Sequence, residues 1–417
     1  MSETSRCLVV TGLRLDRLGH TRHGIYQRFR MLLDAAAQAG FALDVVCARP
    51  ADCTDDVATS GHIERELASH WHREARVLAL LRAQPDRRTP YLLQQLLGCL
   101  SPAMSIGHRA AVAGGQLAVV KEALKRRPAL VLAHRLPSMS LLSGQADLPP
   151  TFFDMDDVEH VVAHRRAAQL PAGREKWITL AGIRAIKTME RQAVRRAHRT
   201  LVCADDDARL LRSLVGVPPE AVMTVPNGVA AGPSRDPRKA DAAPIFLMVG
   251  IYSYEPNAEG AAFFVREVWP LVLATRPDAQ LWLVGAAGDT IPMPSPMPVG
   301  VKVMGFVDDL DAVYAQARVV VCPILTGGGT RVKLIEAAMR GMPIVSTTIG
   351  AEGLALKPES EILLRDEPSA LAEACLALVS DPSRAQGLGE RALQSAQALY
   401  DSQRIAARLA EAMRAAV

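Results

Sequence analysis

The sequence predicts an α/β protein of two domains in tandem, each a parallel sheet flanked by helices. Three observations predict it. A strand, loop, helix and strand follow one another near the start of the chain; the same rhythm restarts after residue 244; and a polar, proline-rich stretch, residues 232–244 (GPSRDPRKADAAP), lies between the two series. Short β-branched runs alternating with helical periodicity are the mark of βαβ units. A chain of 417 residues also exceeds one ordinary core, since about 150 residues per domain is the usual scale.

The elements follow in order. Residues 7–11 (CLVVT) read as a strand and residues 26–39 as a long helix closed by Gly40, with a second strand at residues 43–47. Residues 62–126 read as helices without strands between them. Strands resume at residues 129–133 and 151–154, and a basic helix at residues 184–199 leads into a strand at residues 200–203. Beyond the linker, residues 245–249, 279–284, 301–304, 319–322 and 343–346 read as strands, with a helix at residues 260–274. Residues 402–417 read as a final amphipathic helix. In folds of this kind ligands bind at the carboxyl ends of the strands.

Composition narrows the class. Hydrophobic residues make up 49% of the chain and charged residues 22%, a globular balance, while the 4% of aromatics argues against a sugar-binding module built on stacked rings. No apolar run has the length of a membrane span, and residues 1–8 lack the apolar stretch of a signal peptide, so a cytoplasmic protein, if anywhere near a membrane then at its inner face, is expected. Cys7, Cys47, Cys53, Cys99, Cys203, Cys322 and Cys375 form no C-x-x-C pair and are odd in number, so neither a disulfide framework nor a zinc site is indicated. Residues 1–235 hold 32 Lys and Arg against 23 Asp and Glu, and residues 236–417 hold 16 against 21. The first half is thus the one to meet anions: nucleic acid, an anionic membrane surface or a pyrophosphate-bearing substrate.

Residues 323–343 (PILTGGGTRVKLIEAAMRGMP) place three glycines, then Arg331 and Lys333, between the end of a strand and the start of a helix. Such a turn exposes backbone N–H groups and supplies cations for an anion. Glu336, about one turn into the helix, can accept hydrogen bonds from two neighbouring sugar hydroxyls. Taken by itself the same stretch also reads as a flexible loop with a solvated Glu336.

On these residues the chain resembles the GT4 family of glycosyltransferases, in the branch reading G-T-R-x-K-x-x-E-A-x-x-x-G-x-P-V-V-S-T followed by G-A-E-G-L. Here residues 329–347 read GTRVKLIEAAMRGMPIVST and residues 350–354 read GAEGL. Residues 225–229 (VPNGV), 250–257 (GIYSYEPN), 283–285 (LVG) and 305–310 (GFVDDL) agree in the family's order; the resemblance covers residues 225–400 well and the N-terminal part loosely. It implies the GT-B fold: two Rossmann-like domains facing each other across a cleft. Residues 1–235 would bind the acceptor, residues 244–401 the nucleotide sugar, and the helix at 402–417 would return to the first domain. It implies donor contacts at Gly24, Gly250, Phe306, Gly328, Gly329, Thr330 and Glu336. Glu336 would hold the ribose as the second Glu of the family's E-x7-E motif. Two departures stand out. The first Glu of that motif falls on Gly328, and Ile251 occupies the place of an Arg that usually grips the pyrophosphate, leaving that task to Arg331 and Lys333.

His134 closes the strand in PALVLAH, where the resemblance puts a histidine beside the donor sugar; on its own, a histidine there also reads as a packed or capped residue. Only the second glycine of the family's Gly-Gly pair survives, at Gly24. Arg22 and Arg28 flank it, as loop cations or as solvated surface side chains. Asp154, Asp156 and Asp157 in TFFDMDDVE spell the D-x-D of metal-dependent GT-A enzymes; the chain's separate phosphate site speaks against a metal role, and the resemblance to GT4 implies that Asp156 and Asp157 line the acceptor side instead. No metal or other cofactor is expected, and His160 and His164 lack structural-zinc spacing. Residues 74–100 are basic and amphipathic, suited to a lipid-linked acceptor, to a membrane surface or to simple packing on the sheet. Nucleic acid is not an expected partner, since interleaved aromatics are missing.

The expected reaction is transfer of a sugar from a nucleoside-diphosphate sugar to an acceptor hydroxyl, with retention of anomeric configuration as in GT4, in polysaccharide or lipid-linked glycan synthesis. Arg331 and Lys333 would stabilise the departing phosphate while His134 positions the sugar. The rivals are a sugar-nucleotide epimerase of the same architecture, a metal-dependent GT-A transferase and a non-catalytic sugar-nucleotide-binding protein.

Overall fold

The computed structural model describes residues 5–15, 24–49, 60–71, 74–84, 114–145, 147–230, 232–233 and 243–417. Arg22 and most of the 74–100 segment lie outside these. The chain forms two units, Met1–Gly228 with Ser402–Val417, and Val229–Asp401.

The first unit runs β1 (Arg6–Thr11), α1 (Gly24–Gln38), β2 (Ala42–Arg49), α2 (Ser60–Trp71), β3 (Ala75–Arg82), α3 (Gln116–Leu124), β4 (Leu130–His134) and α4 (Leu136–Leu141). It continues with β5 (Thr151–Asp156), α5 (Glu159–Gln169), α6 (Arg174–Arg196), β6 (Arg199–Val202), α7 (Asp205–Val215) and β7 (Val222–Thr224). The strands form one sheet in the order β3-β2-β1-β4-β5-β6-β7, and every neighbouring pair is parallel. Parallel strands are covered on both faces, which is why they read as continuous apolar runs. Alternation along β1 shows it: Cys7 and Val9 belong to the core that also holds Phe29 and Leu32 of α1, while Leu8 and Val10 belong to the core of the other face with Leu142 and Leu211.

The second unit runs β8 (Ile245–Val249), α8 (Glu255–Phe263), α9 (Trp269–Thr275), β9 (Gln280–Val284), β10 (Val301–Gly305), α10 (Leu310–Gln316), β11 (Val319–Cys322) and α11 (Val332–Ala338). It ends with β12 (Ile344–Ser346), β13 (Leu363–Leu364), α12 (Pro368–Ser380) and α13 (Pro382–Leu399). Its six strands are again parallel, ordered β10-β9-β8-β11-β12-β13. Phe246, Leu281 and Val321 pack with Trp269 and Leu371 on one face; Leu247, Val284 and Val320 pack with Leu334 and Ile335 on the other. Between α8 and α9 the helix widens into a π turn, Phe264–Val268, just ahead of Pro270, whose missing N–H removes a regular helical bond.

A final helix, α14 (Ser402–Arg414), belongs to the first unit and lays Leu409, Ala410 and Met413 against Phe29 and Leu32 of α1. The chain passes between the units at Gly228, where a side chain would meet Met31 Sδ at 2.7 Å and the Cα of Ser402 at 2.7 Å. Only glycine fits so close an approach.

One expectation fails. Residues 74–82, taken for helix because they are rich in Ala, Leu and Arg, include the edge strand β3, paired along its length with β2. The sheet's ladder outweighs local propensity there, and Arg76 and Arg82 are the charged residues expected on an exposed edge.

Candidate active site

In the second unit, β8 and β11 are neighbours, and the loops at their carboxyl ends carry the expected donor-side residues. The loop after β11 contains Gly327 and Gly329, with φ of 102° and 73°, conformations that favour glycine. Arg331, buried to 6% exposure, closes this loop. Its guanidinium donates to the carbonyl of Gly328, to Gly329 O at 2.6 Å and to Thr326 O at 3.4 Å. Arg331 Nε and Thr330 Oγ1 are buried without a hydrogen-bond partner, two donors left for something else to accept from.

Lys333, in the first turn of α11, reaches across to the end of β8. Its Nζ donates to Asn257 Oδ1 at 2.6 Å, and Asn257 Nδ2 donates to Ile251 O at 2.8 Å. A side chain on Gly250 would lie 2.9 Å from Asn257 Nδ2 and 3.2 Å from Lys333 Nζ, so glycine there admits the pair. Burial pushes the Lys333 ammonium below its usual pKa of 10.5, and the Arg331 charge adds to that. An anion in the loop would relieve both effects. Glu336, buried on α11, gives its carbonyl to Arg340 Nη1 at 2.9 Å. Arg340 in turn pairs with Asp311 and lies over the Tyr314 ring of α10, which fixes α11. Phe306 stands 70% exposed just beyond β10.

In the first unit, charged side chains gather at the carboxyl ends of β1, β4 and β5. Arg28 is fully buried rather than solvated. It donates through Nε at 2.9 Å and Nη2 at 2.5 Å to Asp154 Oδ1, and through Nη1 to Val225 O at 2.8 Å and Asn227 Oδ1 at 3.1 Å. Burial alone would lower its pKa, but the charge of Asp154 outweighs burial and raises it, so the guanidinium stays charged. Asp154 is therefore committed to Arg28 and does not present the first carboxylate of a D-x-D metal site.

His134 is 2% exposed. Its Nδ1 lies 3.1 Å from Thr11 Oγ1, its ring stacks on Phe29 at 4.8 Å, and its Nε2 has no hydrogen-bond partner. Burial lowers its pKa to about 3, so the imidazole is neutral. Beside it, Arg135 and Asp156 hold φ of 67° and 61°, with Arg135 Nε 3.9 Å from Asp156 Oδ2. Such backbone conformations are costly for side chains of this size. Asp157 is half-buried in the turn before α5, and Gly24 opens α1. Burial raises the pKa of Glu159 against the opposing charge of Arg135.

The structure thus brings Gly250, Gly328, Gly329, Thr330, Arg331, Lys333 and Glu336 to one edge of the second sheet, and His134 and Asp156 to the corresponding edge of the first. Sequence reasoning missed Asn257, although its motif GIYSYEPN was in view, and missed the Asp311–Arg340 brace behind Glu336. For Arg135 no signal existed, because nothing in its neighbours announces a left-handed backbone.

Residues 243–381 match the family described as glycosyl transferases group 1. An uncharacterized 44.6 kDa protein in the cps region of Klebsiella pneumoniae is 23% identical over 167 residues, 38% of this chain and 43% of that protein. The chain thus spans less than half the length of that relative. Sucrose-phosphate synthase from Thermosynechococcus elongatus is similar over 98% of both chains, with a TM-score of 0.69 at 19% identity. Anabaena HepE in complex with UDP gives 0.62 at 13% identity over 98% of this chain and 100% of its own. WaaG, a glycosyltransferase involved in lipopolysaccharide biosynthesis, gives 0.60 at 15% over 96% and 98%. At such identities the likeness establishes the GT-B fold, and within it residues 243–381 are similar to the glycosyl transferases group 1 family.

Proposed function

We propose that the protein is a retaining glycosyltransferase of the GT4 type, moving a sugar from a nucleoside-diphosphate sugar to an acceptor hydroxyl in polysaccharide or lipid-linked glycan synthesis. The observation that carries this reading is the Lys333–Asn257 pair at Gly250, beside the loop closed by Arg331. Breaking the sugar–phosphate bond builds negative charge on the β-phosphate, and donors fixed in place before the reaction stabilise it without reorganising. Lys333 supplies the mobile charge. Arg331 supplies loop shape as well as charge, since its Nη atoms are spent on backbone carbonyls while Nε is not. Glu336 takes the ribose hydroxyls, and the neutral His134 positions the sugar. No metal is required in this scheme; the engagement of Asp154 by Arg28 supports that. Because HepE was solved with UDP and with UDP-glucose, uridine nucleotides are the first donors to test.

A thermal-shift panel of nucleotides and nucleotide sugars identifies the donor, since a ligand stabilises by RT ln(1 + [L]/Kd). With that donor, Lys333→Ala should cut kcat/KM about 100-fold with an unchanged melting curve, and Arg331→Ala should cut it further by loosening the loop as well. Activity should persist in chelator. Wild-type rates in both variants sink the assignment of these cations; turnover of donor without any acceptor favours an epimerase instead.

A further inference from the structure

The basic helix that the sequence singles out has no part in the sugar-transfer reading. In the structure it is α6, paired with α5 as a helical hairpin whose base is locked. Glu190 of α6 is fully buried, accepts from the His160 backbone N–H at 3.0 Å and meets the His160 ring. Ala193 and Val194 bury the rest of the base, and Ile183 and Ala185 are buried further along the helix.

The opposite end is built differently. Trp177 is 73% exposed and Leu180 37% exposed, whereas Trp269 and Trp282 are buried. Arg174, Trp177, Leu180, Ala181 and Arg184 are all exposed and follow one another at helical spacing, so they share one face. Large apolar side chains exposed together on one face, rimmed by polar residues, mark an interaction site. The charge around it is one-sided: residues 171–184 hold three cations, Arg174, Lys176 and Arg184, against one acidic residue, Glu175.

We propose that this tip of α6 docks the protein on an anionic lipid surface, with Trp177 and Leu180 entering the headgroup boundary and Arg174, Arg184 and their neighbours pairing with lipid phosphates. A tryptophan and leucine on one face, ringed by arginine and lysine, is the chemistry of an interfacial helix. Each cation near such a surface adds attraction that salt screens. Among the described residues no helix is long and apolar enough to cross a membrane, so the docking is peripheral. Nucleic acid fits less well, because the stripe carries one aromatic rather than a stacking platform.

The test is co-sedimentation of the full chain with vesicles of phosphatidylcholine alone or mixed with phosphatidylglycerol, in low and raised salt, with no sugar donor present. It therefore stands apart from the transfer reaction. The wild-type protein should pellet with the mixed vesicles, lose binding in raised salt, and show quenching of its tryptophan fluorescence by brominated lipid. Trp177→Ala should abolish most of that quenching, and Arg174→Glu with Arg184→Glu should weaken binding at least about tenfold, both with wild-type melting curves. Three results overturn the proposal: wild-type protein that stays in the supernatant, vesicle binding unaltered in either variant, or binding to a single-stranded oligonucleotide without binding to vesicles.

Discussion

Burial of His134 couples the protein's stability to acid. Its folded pKa of about 3 lies below the ordinary 6.5, so the native state keeps the ring neutral while the unfolded chain takes up a proton below pH 6.5. The sign follows: the contribution is full above pH 6.5 and is lost as pH falls toward about 3, at up to ~1.4 kcal/mol per pH unit. Denaturant midpoints of the wild type and His134→Gln measured from pH 7 to pH 4 should converge as pH falls; parallel curves would show that the ring is not buried neutral. At this scale the sequence was legible where a motif carried the residue, as with Arg331, Lys333 and Glu336. It was silent where a partner came from far along the chain. Arg28 meets Asp154 only because α1 packs over β5, and Lys333 meets Asn257 only because β8 and β11 are neighbours.

At the scale of elements, Arg28 holds three pieces at once: α1, the end of β5 and the stretch after β7. Arg28→Met strips the buried Asp154 of its guanidinium partner, a loss of about 3–5 kcal/mol. Pairing that change with Asp154→Leu should recover a large part of it in equilibrium unfolding; a double variant no more stable than Arg28→Met would mean the pair is not the dominant tie. Most elements could be read from apolar runs and turn residues. β3 could not, since its composition favours helix and only the pairing with β2 decides it. The same limit hid the exposed tip of α6, whose basic composition was plain but whose exposure depends on how α5 packs against it.

For the whole molecule, the restarting strand–helix rhythm was enough to predict two α/β sheets, and the resemblance to GT4 implied the return of the last helix. What sequence could not supply was where the chain turns over from one unit to the other. That point is Gly228, set by contacts with Met31 and Ser402 rather than by the proline-rich stretch that follows. Because α14 completes the first unit's core, deleting residues 402–417 removes Leu409 and Met413 and uncovers the α1 face beneath them. The expected loss is on the order of 5 kcal/mol, confined to the first unit. Calorimetry should show one transition moved down and nucleotide-induced stabilisation of the other retained; a uniform shift of both would refute separate units.

The two crossings of the chain also lie side by side. Val229 N–H bonds to Tyr400 O at 2.8 Å, and Val229 bridges Asp401. The second unit is thus spliced into the first, and this has a consequence during synthesis. A ribosome making the chain from its N-terminus delivers all of residues 229–401 before the first unit receives α14. The second unit can be finished and closed while the first still waits for its final helix.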